Sequence, residues 1–325
     1  MILDRRHVTS ALAFLVLFFA ACSESPSDSS DGSSGVRRIA MIPKGTTHQY
    51  WNQVKRGADA ASVELGVELI WKGPLKEDDR VGQIELVQQF VAQGVDGLCI
   101  APLDTRALSV PVKNAVRRGL PVVVFDSGLD GEPGQDFTSF IATDNTSAGK
   151  LGGEHLAGLV DAGGGVVLLR YLVGSASTTK REDGFLAAMS EAGCNVSVDN
   201  RYAGASSASA KTEALNMIDR LREADGVFCS NESATYGMLL ALRQEGLAGR
   251  IKFVGFDTSP ALVEALREGE IHALVVQDPV KMGELSIRTM IASLEGESVD
   301  AVIDTGCVVV TKANMDDPAI APLLE

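Results

Sequence analysis

The chain has 325 residues, 45% of them hydrophobic, and a formal charge of −14 from 29 Lys and Arg against 43 Asp and Glu. That length predicts two domains, the composition excludes a disordered or fibrous chain, and the acidity argues against a general grip on nucleic-acid phosphates. Five Cys and four His, all scattered, exclude a disulfide-dense scaffold and a zinc module, so no metal or cofactor is expected.

Residues 1–21, MILDRRHVTSALAFLVLFFAA, begin with a basic group at Arg5, Arg6 and His7 and run into an unbroken apolar stretch from Ala11 to Ala21. The stretch is too short for a mature bilayer-spanning helix and suits the apolar core of a signal peptide. Ala20-Ala21-Cys22 resembles the lipobox of bacterial lipoproteins, with Phe19 where Leu is usual. The resemblance implies cleavage before Cys22, acylation of its thiol, and a protein held at a membrane in the periplasm or at the cell surface. After Cys22, SESPSDSSDGSSG has no apolar residue except Pro26, so 22–35 reads as a flexible spacer. Cys99 and Cys229 fall inside apolar strand patterns, and with Cys194 and Cys307 they read as reduced, structural thiols.

From residue 36 the pattern alternates. Val36 to Ile42 reads as a strand, 49–65 as a helix stopped by Gly66, and Val67 to Trp71 as a strand. In RVGQIELVQQFVAQ (80–93), Val81, Ile84, Val87 and Val91 fall on one face at helical spacing, and Gly94 stops that helix. Strand Val95 to Ile100, helix 105–118 and strand Pro121 to Phe125 complete a βαβ series. The Gly-rich loop 127–137, SGLDGEPGQDF, precedes a second series. That series runs through a short strand at 140–142, helix 145–160, strand 166–170, helix 177–192 and strand 196–198. It continues with helix 206–222, strand 226–229, helix 232–245 and strand 251–256. Helix 260–268, strand 273–276, helix 279–294 and strand 306–310 end it. The fold class is α/β, with two doubly wound parallel-sheet domains.

IPKGTTHQYWNQVKRGA (42–58), GQIELVQQFVAQGVDGLCIAP (82–102), VVVFDSG (122–128), IATDN (141–145), KREDGF (180–185), CSNE (229–232), VGFD (254–257) and VVQDP (275–279) occur in that order. Together they resemble the periplasmic sugar-binding proteins of ABC transporters, in the ribose-binding and LacI-like superfamily, over essentially all of 36–312. The resemblance implies a type I periplasmic binding protein. Its two lobes, 36–140 plus 278–306 and 141–277 plus 307–325, would be joined by three hinge crossovers and close on a ligand in the cleft. It also implies partners: a small sugar or polyol, an ABC permease and its ATPase, with the receptor itself a monomer.

Open α/β sheets bind ligands beyond the carboxyl ends of their strands, which is where Lys44, Asp126, Asn231 and Asp257 fall. Asp accepts from hydroxyls, Asn donates and accepts, and Arg and Lys donate, while sugar C–H faces lie on aromatic rings. The resemblance matches Tyr50 and Trp51 to an aromatic pair and matches Asp126, Arg181, Asn231, Asp257 and Gln277 to polar ligand contacts. Ser127 stands where the ribose type has Arg, Ala101 where it has Asn, and Thr47-His48-Gln49 where it has Asn-Asn-Pro. These departures point away from ribose itself. IPKG and FDS resemble autoinducer-2 and rhamnose-binding branches, which adds Lys44, and His48 stands beside it as a cleft candidate. Other roles compete. The two Asp suit turn caps, Tyr50 and Trp51 suit the core, though adjacent residues do not share one helix face, and Arg181 suits a surface pair with Glu182 or Asp183.

No G-x-S-x-G elbow, phosphate loop or dinucleotide fingerprint occurs, which favours a binding protein over an enzyme. The N-terminal leader takes the place of a repressor's helix-turn-helix. A solute receptor for sugar import is the leading reading, and a sensory receptor for an autoinducer-2-like ligand or other polyol is the alternative.

Overall fold

The computed structural model describes residues 35–325; the signal peptide expected at 1–21, Cys22 and the expected spacer up to Ser34 lie outside the described residues. Strands β1 (Arg38–Ile42), β2 (Glu68–Trp71), β3 (Gly97–Ile100), β4 (Val122–Phe125), β5 (Ser139–Ala142) and β11 (Val302–Asp304) form one sheet, in the order β11-β5-β4-β3-β1-β2. Strands β6 (Gly165–Arg170), β7 (Asn195–Tyr202), β8 (Gly226–Cys229), β9 (Lys252–Phe256), β10 (Ala273–Gln277) and β12 (Cys307–Val310) form the other, in the order β12-β10-β9-β8-β6-β7. All neighbours are parallel except β10 and β12. Near-continuous apolar runs such as VVVF and GVFC make the central strands because helices bury them on both sides, and each lobe has one apolar core on either face of its sheet.

Ten helices connect these strands among the described residues. In the first lobe α1 (Gln49–Leu65), α2 (Arg80–Gln93), α3 (Ser109–Arg117) and α10 (Pro279–Leu294) cover the sheet. In the second, α4 (Asn145–Ala157), α5 (Ala176–Ala192), α6 (Ser207–Asn216), α7 (Ile218–Glu223), α8 (Glu232–Gln244) and α9 (Pro260–Glu268) do so. Both lobes contain very close helix crossings. A Cβ on Gly57 of α1 would overlap the Val280 carbonyl, and one on Gly149 of α4 would overlap the carbonyl of Arg181 on α5.

Several elements differ from the sequence expectation. β5 pairs with β4 and β11, so Ile141 and Ala142 lie in the first sheet and the chain leaves it after Ala142. The loop ahead of β5 returns the chain to β4, where Thr138 N–H donates to Val122 O at 2.8 Å. β11 has only three residues, two of them exposed, too short to leave a periodic signal. The helix expected over 206–222 is broken at Met217, whose φ of −113° and ψ of 23° ends α6 and precedes α7. The helix expected from 105 begins at Ser109, because Asp104 Oδ1 accepts from the N–H groups of Arg106 and Ala107 in a preceding turn. On α2 the buried face is Gln83, Leu86, Val87 and Phe90, while Val81 is exposed. Gln83 can be buried because its amide donates to the carbonyls of Pro43 and Ala101 and accepts from Leu103 N, which satisfies a polar group in the core.

Three segments pass between the sheets: after Ala142, after Gln277, and between Asp304 and Cys307. The first and third are tied together by Thr143 Oγ1 to Thr305 Oγ1 at 3.2 Å and by Asp144 N–H to Asp304 Oδ1 at 3.0 Å. The cysteines are all unpaired among the described residues, and burial pushes the Cys99 and Cys229 thiols up.

Candidate functional site

The strands of both sheets end at one place. Just past β1 lies Lys44, past β4 Asp126, past β6 Tyr171, past β8 Asn231 and past β9 Asp257, and Gln277 is the last residue of β10. The structure brings Lys44, His48, Tyr50, Trp51, Asp126, Arg181, Asn231, Asp257 and Gln277 around one cavity. Glu77, Tyr171, Ser177, Thr178 and Glu232 complete its wall.

Asp126 and Asp257 occupy equivalent positions in the two lobes, with φ of 61° and 66°. They are the non-glycine residues with positive φ among the described residues. Each backbone N–H is fixed to the neighbouring strand, at Ile141 O and Val275 O respectively, both at 2.9 Å. Such a conformation costs about 1–3 kcal/mol and persists where the surroundings over-determine it. Neither residue caps its own turn. Asp126 Oδ1 accepts from Tyr50 Oη at 3.0 Å, and its Oδ2 lies 3.1 Å from Lys44 Nζ in an ion pair. Asp257 Oδ1 accepts from Gln277 Nε2 at 2.6 Å, and Oδ2 accepts from Glu232 N at 3.1 Å. The Lys44 contact lies off hydrogen-bonding geometry, so Asp126 Oδ2 and Gln277 Oε1 are buried acceptors with no hydrogen-bond donor among the described residues.

Arg181 is 2% exposed, so it is no surface partner of Glu182 or Asp183. Its Nε donates to Asn145 Oδ1 at 2.7 Å, its Nη1 to Ser230 O at 3.0 Å, and its guanidinium lies 4.1 Å from the Phe256 ring centre. Glu182 turns instead to Arg170 Nη1, Tyr171 N and Ser230 Oγ, each at 2.9 Å. Asn231 caps α8, accepting from Ala234 N at 3.2 Å. Burial pushes the Asp257 carboxyl up, against the pull of Arg181 and Gln277.

Tyr50 and Trp51 are both buried, against the expectation that adjacent helical residues do not share a face. They stand in the first turn of α1, where both line the cleft while Gln49 and Asn52 of the same turn remain exposed. Trp51 Nε1 and His48 Nδ1 both reach Glu77 Oε1 at 2.6 Å, and Tyr171 Oη donates to Glu77 Oε2 at 2.7 Å. Burial works against the charge on His48, yet Glu77 and Glu232 raise its pKa to about 9. Burial likewise opposes ionisation of Glu77, and His48, Lys44 and Trp51 bring its pKa to about 2. Burial and the neighbouring carboxylates push the hydroxyls of Tyr50 and Tyr171 up, so both remain donors.

Sequence reading passed over Glu77, Tyr171, Ser177, Thr178 and Glu232. Glu77 sits in the run LKEDD, which reads as solvated charge. Glu232 belongs to the CSNE motif but had no assigned role, and Tyr171 and Ser177 gain theirs only where the lobes meet. Lys44 Nζ donates to Ser177 Oγ at 3.0 Å, and Ser177 N–H to Ser127 Oγ at 3.2 Å. At the cleft rim Arg80 Nη2 donates to Val173 O at 2.7 Å and Thr105 N–H to Gly174 O at 3.0 Å. The lobes are closed on one another.

Residues 39–298 match the family model of the periplasmic binding protein domain. The D-ribose/D-allose-binding protein of Pseudomonas aeruginosa is 29% identical, over 84% of this chain and 88% of its own length. A carbohydrate transporter solute-binding protein of Agrobacterium radiobacter, solved with D-arabinose, is 35% identical with a TM-score of 0.86, over 90% of this chain and 100% of that one. A solute-binding protein of Agrobacterium vitis, solved with D-fucose, is 32% identical with a TM-score of 0.85, over 89% of this chain and 100% of that one.

Proposed function

From the premise that this chain belongs to the periplasmic binding protein family and is the non-catalytic, extracytoplasmic solute receptor of an ABC sugar importer, we propose that it captures one neutral five- or six-carbon monosaccharide between its lobes. One observation carries the reading. Gln277 Oε1 is a buried acceptor with no hydrogen-bond donor among the described residues, and Asp126 Oδ2 has only the misaligned Lys44 ammonium at 3.1 Å, an arrangement that a ligand hydroxyl donating to these oxygens completes. Lys44, Arg181 and Asn231 offer donors, and Trp51 supplies an apolar wall for a ring face. His48, Glu77, Asp126 and Lys44 compensate one another's charge inside the site, which supports a neutral ligand over an ionic one. D-arabinose and D-fucose, bound by the solved relatives, are the first sugars to test, with D-ribose and D-allose beside them. Calorimetric titration of the purified protein against this panel should give saturable one-to-one binding of at least one member, recovered chemically unchanged. A panel without binding overturns the reading.

The lobes would then divide as the three passages suggest, and the receptor would act as a monomer held at the membrane by a lipid on Cys22. Two or more acyl chains anchor firmly where one does not. Mass spectrometry of membrane fractions should yield a lipid-modified peptide beginning at Cys22; a protein that begins elsewhere and stays soluble refutes the anchor.

A further inference from the structure

Helix α1 reaches the cleft with its first turn exposed to the opposite lobe, and it lacks a cap of its own. Its N-cap residue, His48, makes no side-chain hydrogen bond to the helix amides; its ring turns to Glu77. The first N–H groups of a helix need acceptors from outside it. Here they find them across the cleft. Glu232 Oε2 accepts from Tyr50 N at 3.0 Å and Oε1 from Gln49 N at 3.4 Å. Glu232 is the first residue of α8 in the second lobe, whereas α1 belongs to the first.

We propose that Glu232 is a positioning residue that completes helix α1 only when the lobes are closed, and so slows sugar release. Both of its carboxylate oxygens are spent on protein amides, so it acts on the ligand through its neighbours. Its own backbone N–H donates to Asp257 Oδ2, and α1 carries Tyr50, whose hydroxyl holds Asp126 Oδ1. The two cleft aspartates, one on each lobe, are thereby joined through Glu232 and the first turn of α1. Opening the cleft separates Glu232 from α1 and strips that turn of its cap, a cost comparable to losing an ordinary N-cap.

The inference rests on the sugar-receptor reading, and its test separates the two. Stopped-flow kinetics with D-arabinose should show faster dissociation in Glu232→Ala, by about five- to tenfold, as expected for the loss of one helix cap. Glu232→Gln, which keeps an acceptor oxygen, should fall between the two. Association rates and the melting temperature of the sugar-free protein should be unchanged, since the cap exists only in the closed form. Unaltered dissociation, or an equal loss of stability without sugar, overturns the proposal. Should the unaltered protein take up no D-arabinose, the choice of sugar fails alone. Amide exchange at Gln49 and Tyr50, measured with whichever sugar of the panel does bind, then decides: faster exchange in Glu232→Ala supports the cap, and equal exchange removes it.

Discussion

Asp126 and Asp257 combine an unfavourable backbone with a buried carboxylate, and the backbone decides how they can be tested. Ala at a positive φ loses the local side-chain interactions that let Asp and Asn visit that region, so an alanine variant mixes strain with the loss of a ligand contact. Asp126→Asn and Asp257→Asn keep the conformation and remove the charge. Each should bind sugar about ten- to a hundredfold more weakly, the range for a charge-assisted hydrogen bond; Asp126→Asn should also melt lower, because it leaves the buried Lys44 without its counter-charge. Calorimetry and a melting curve on each variant check this, and undiminished affinity in both refutes the contact. A second residue-scale prediction concerns pH. The raised pKa of His48, about 9 against 6.5, contributes fully below 6.5 and is lost as pH rises through 9. The lowered pKa of Glu77, about 2 against 4.5, contributes above 4.5 and is lost as pH falls through 2. With Lys44 and Glu232 alongside, the pair therefore stabilises most between pH 4.5 and 6.5. The melting-temperature advantage of the unaltered protein over Glu77→Gln should be largest there and shrink toward pH 9; a flat difference rules out the charged pair.

Helices α4 and α5 touch backbone to backbone where Gly149 meets Arg181, so an element contact sets the place of a site residue. Gly149→Ala gains about 1 kcal/mol of helix propensity but must push α5 away, and overpacking of this kind costs about 1–3 kcal/mol. The expected outcome is a lower melting temperature together with weaker sugar binding, because Arg181 moves with its helix. A variant that binds normally would show that Arg181 is placed by its side-chain bonds alone. At this scale much of the fold was legible: α1 spans the same 49–65 that its apolar spacing and Gly66 marked, and β8 and α9 begin and end where expected. On α2 the reading held for Ile84, Val87 and Val91, which pack on the core, and failed for exposed Val81, while the buried, hydrogen-bonded Gln83 is a residue that periodicity cannot detect. Strand ends exposed Lys44, Asp126, Asn231 and Asp257 as candidates, since chain order alone puts them beyond the carboxyl ends of strands. Glu77, Tyr171, Ser177 and Glu232 were not legible, because their partners lie on the other lobe or in a charged loop.

Over the whole molecule, the closed arrangement rests on polar contacts between lobes that have separate apolar cores. Polar contacts of this kind exchange readily with water, so the lobes should part without sugar and rejoin with it, turning at the passages near 143, 278 and 305. Small-angle scattering should give a smaller radius of gyration on saturation with a sugar confirmed by calorimetry. An unchanged radius would mean that the site fills without closure.

Gly174 gives that motion a mechanical stop. It sits on the second lobe at a φ of 95°, with its carbonyl on Thr105 N–H, and any Cβ there would overlap the carboxylate of Asp104 opposite. The rim thus works like a door whose edge is planed flush with its frame. A single methyl group at this point acts as a wedge, outside the cavity and touching no sugar. Gly174→Ala, which adds backbone strain at this φ to the overlap, should leave the door ajar, and the receptor would load at its usual rate while emptying faster. Residence time could then be tuned from the frame, with the choice of cargo left to the lock.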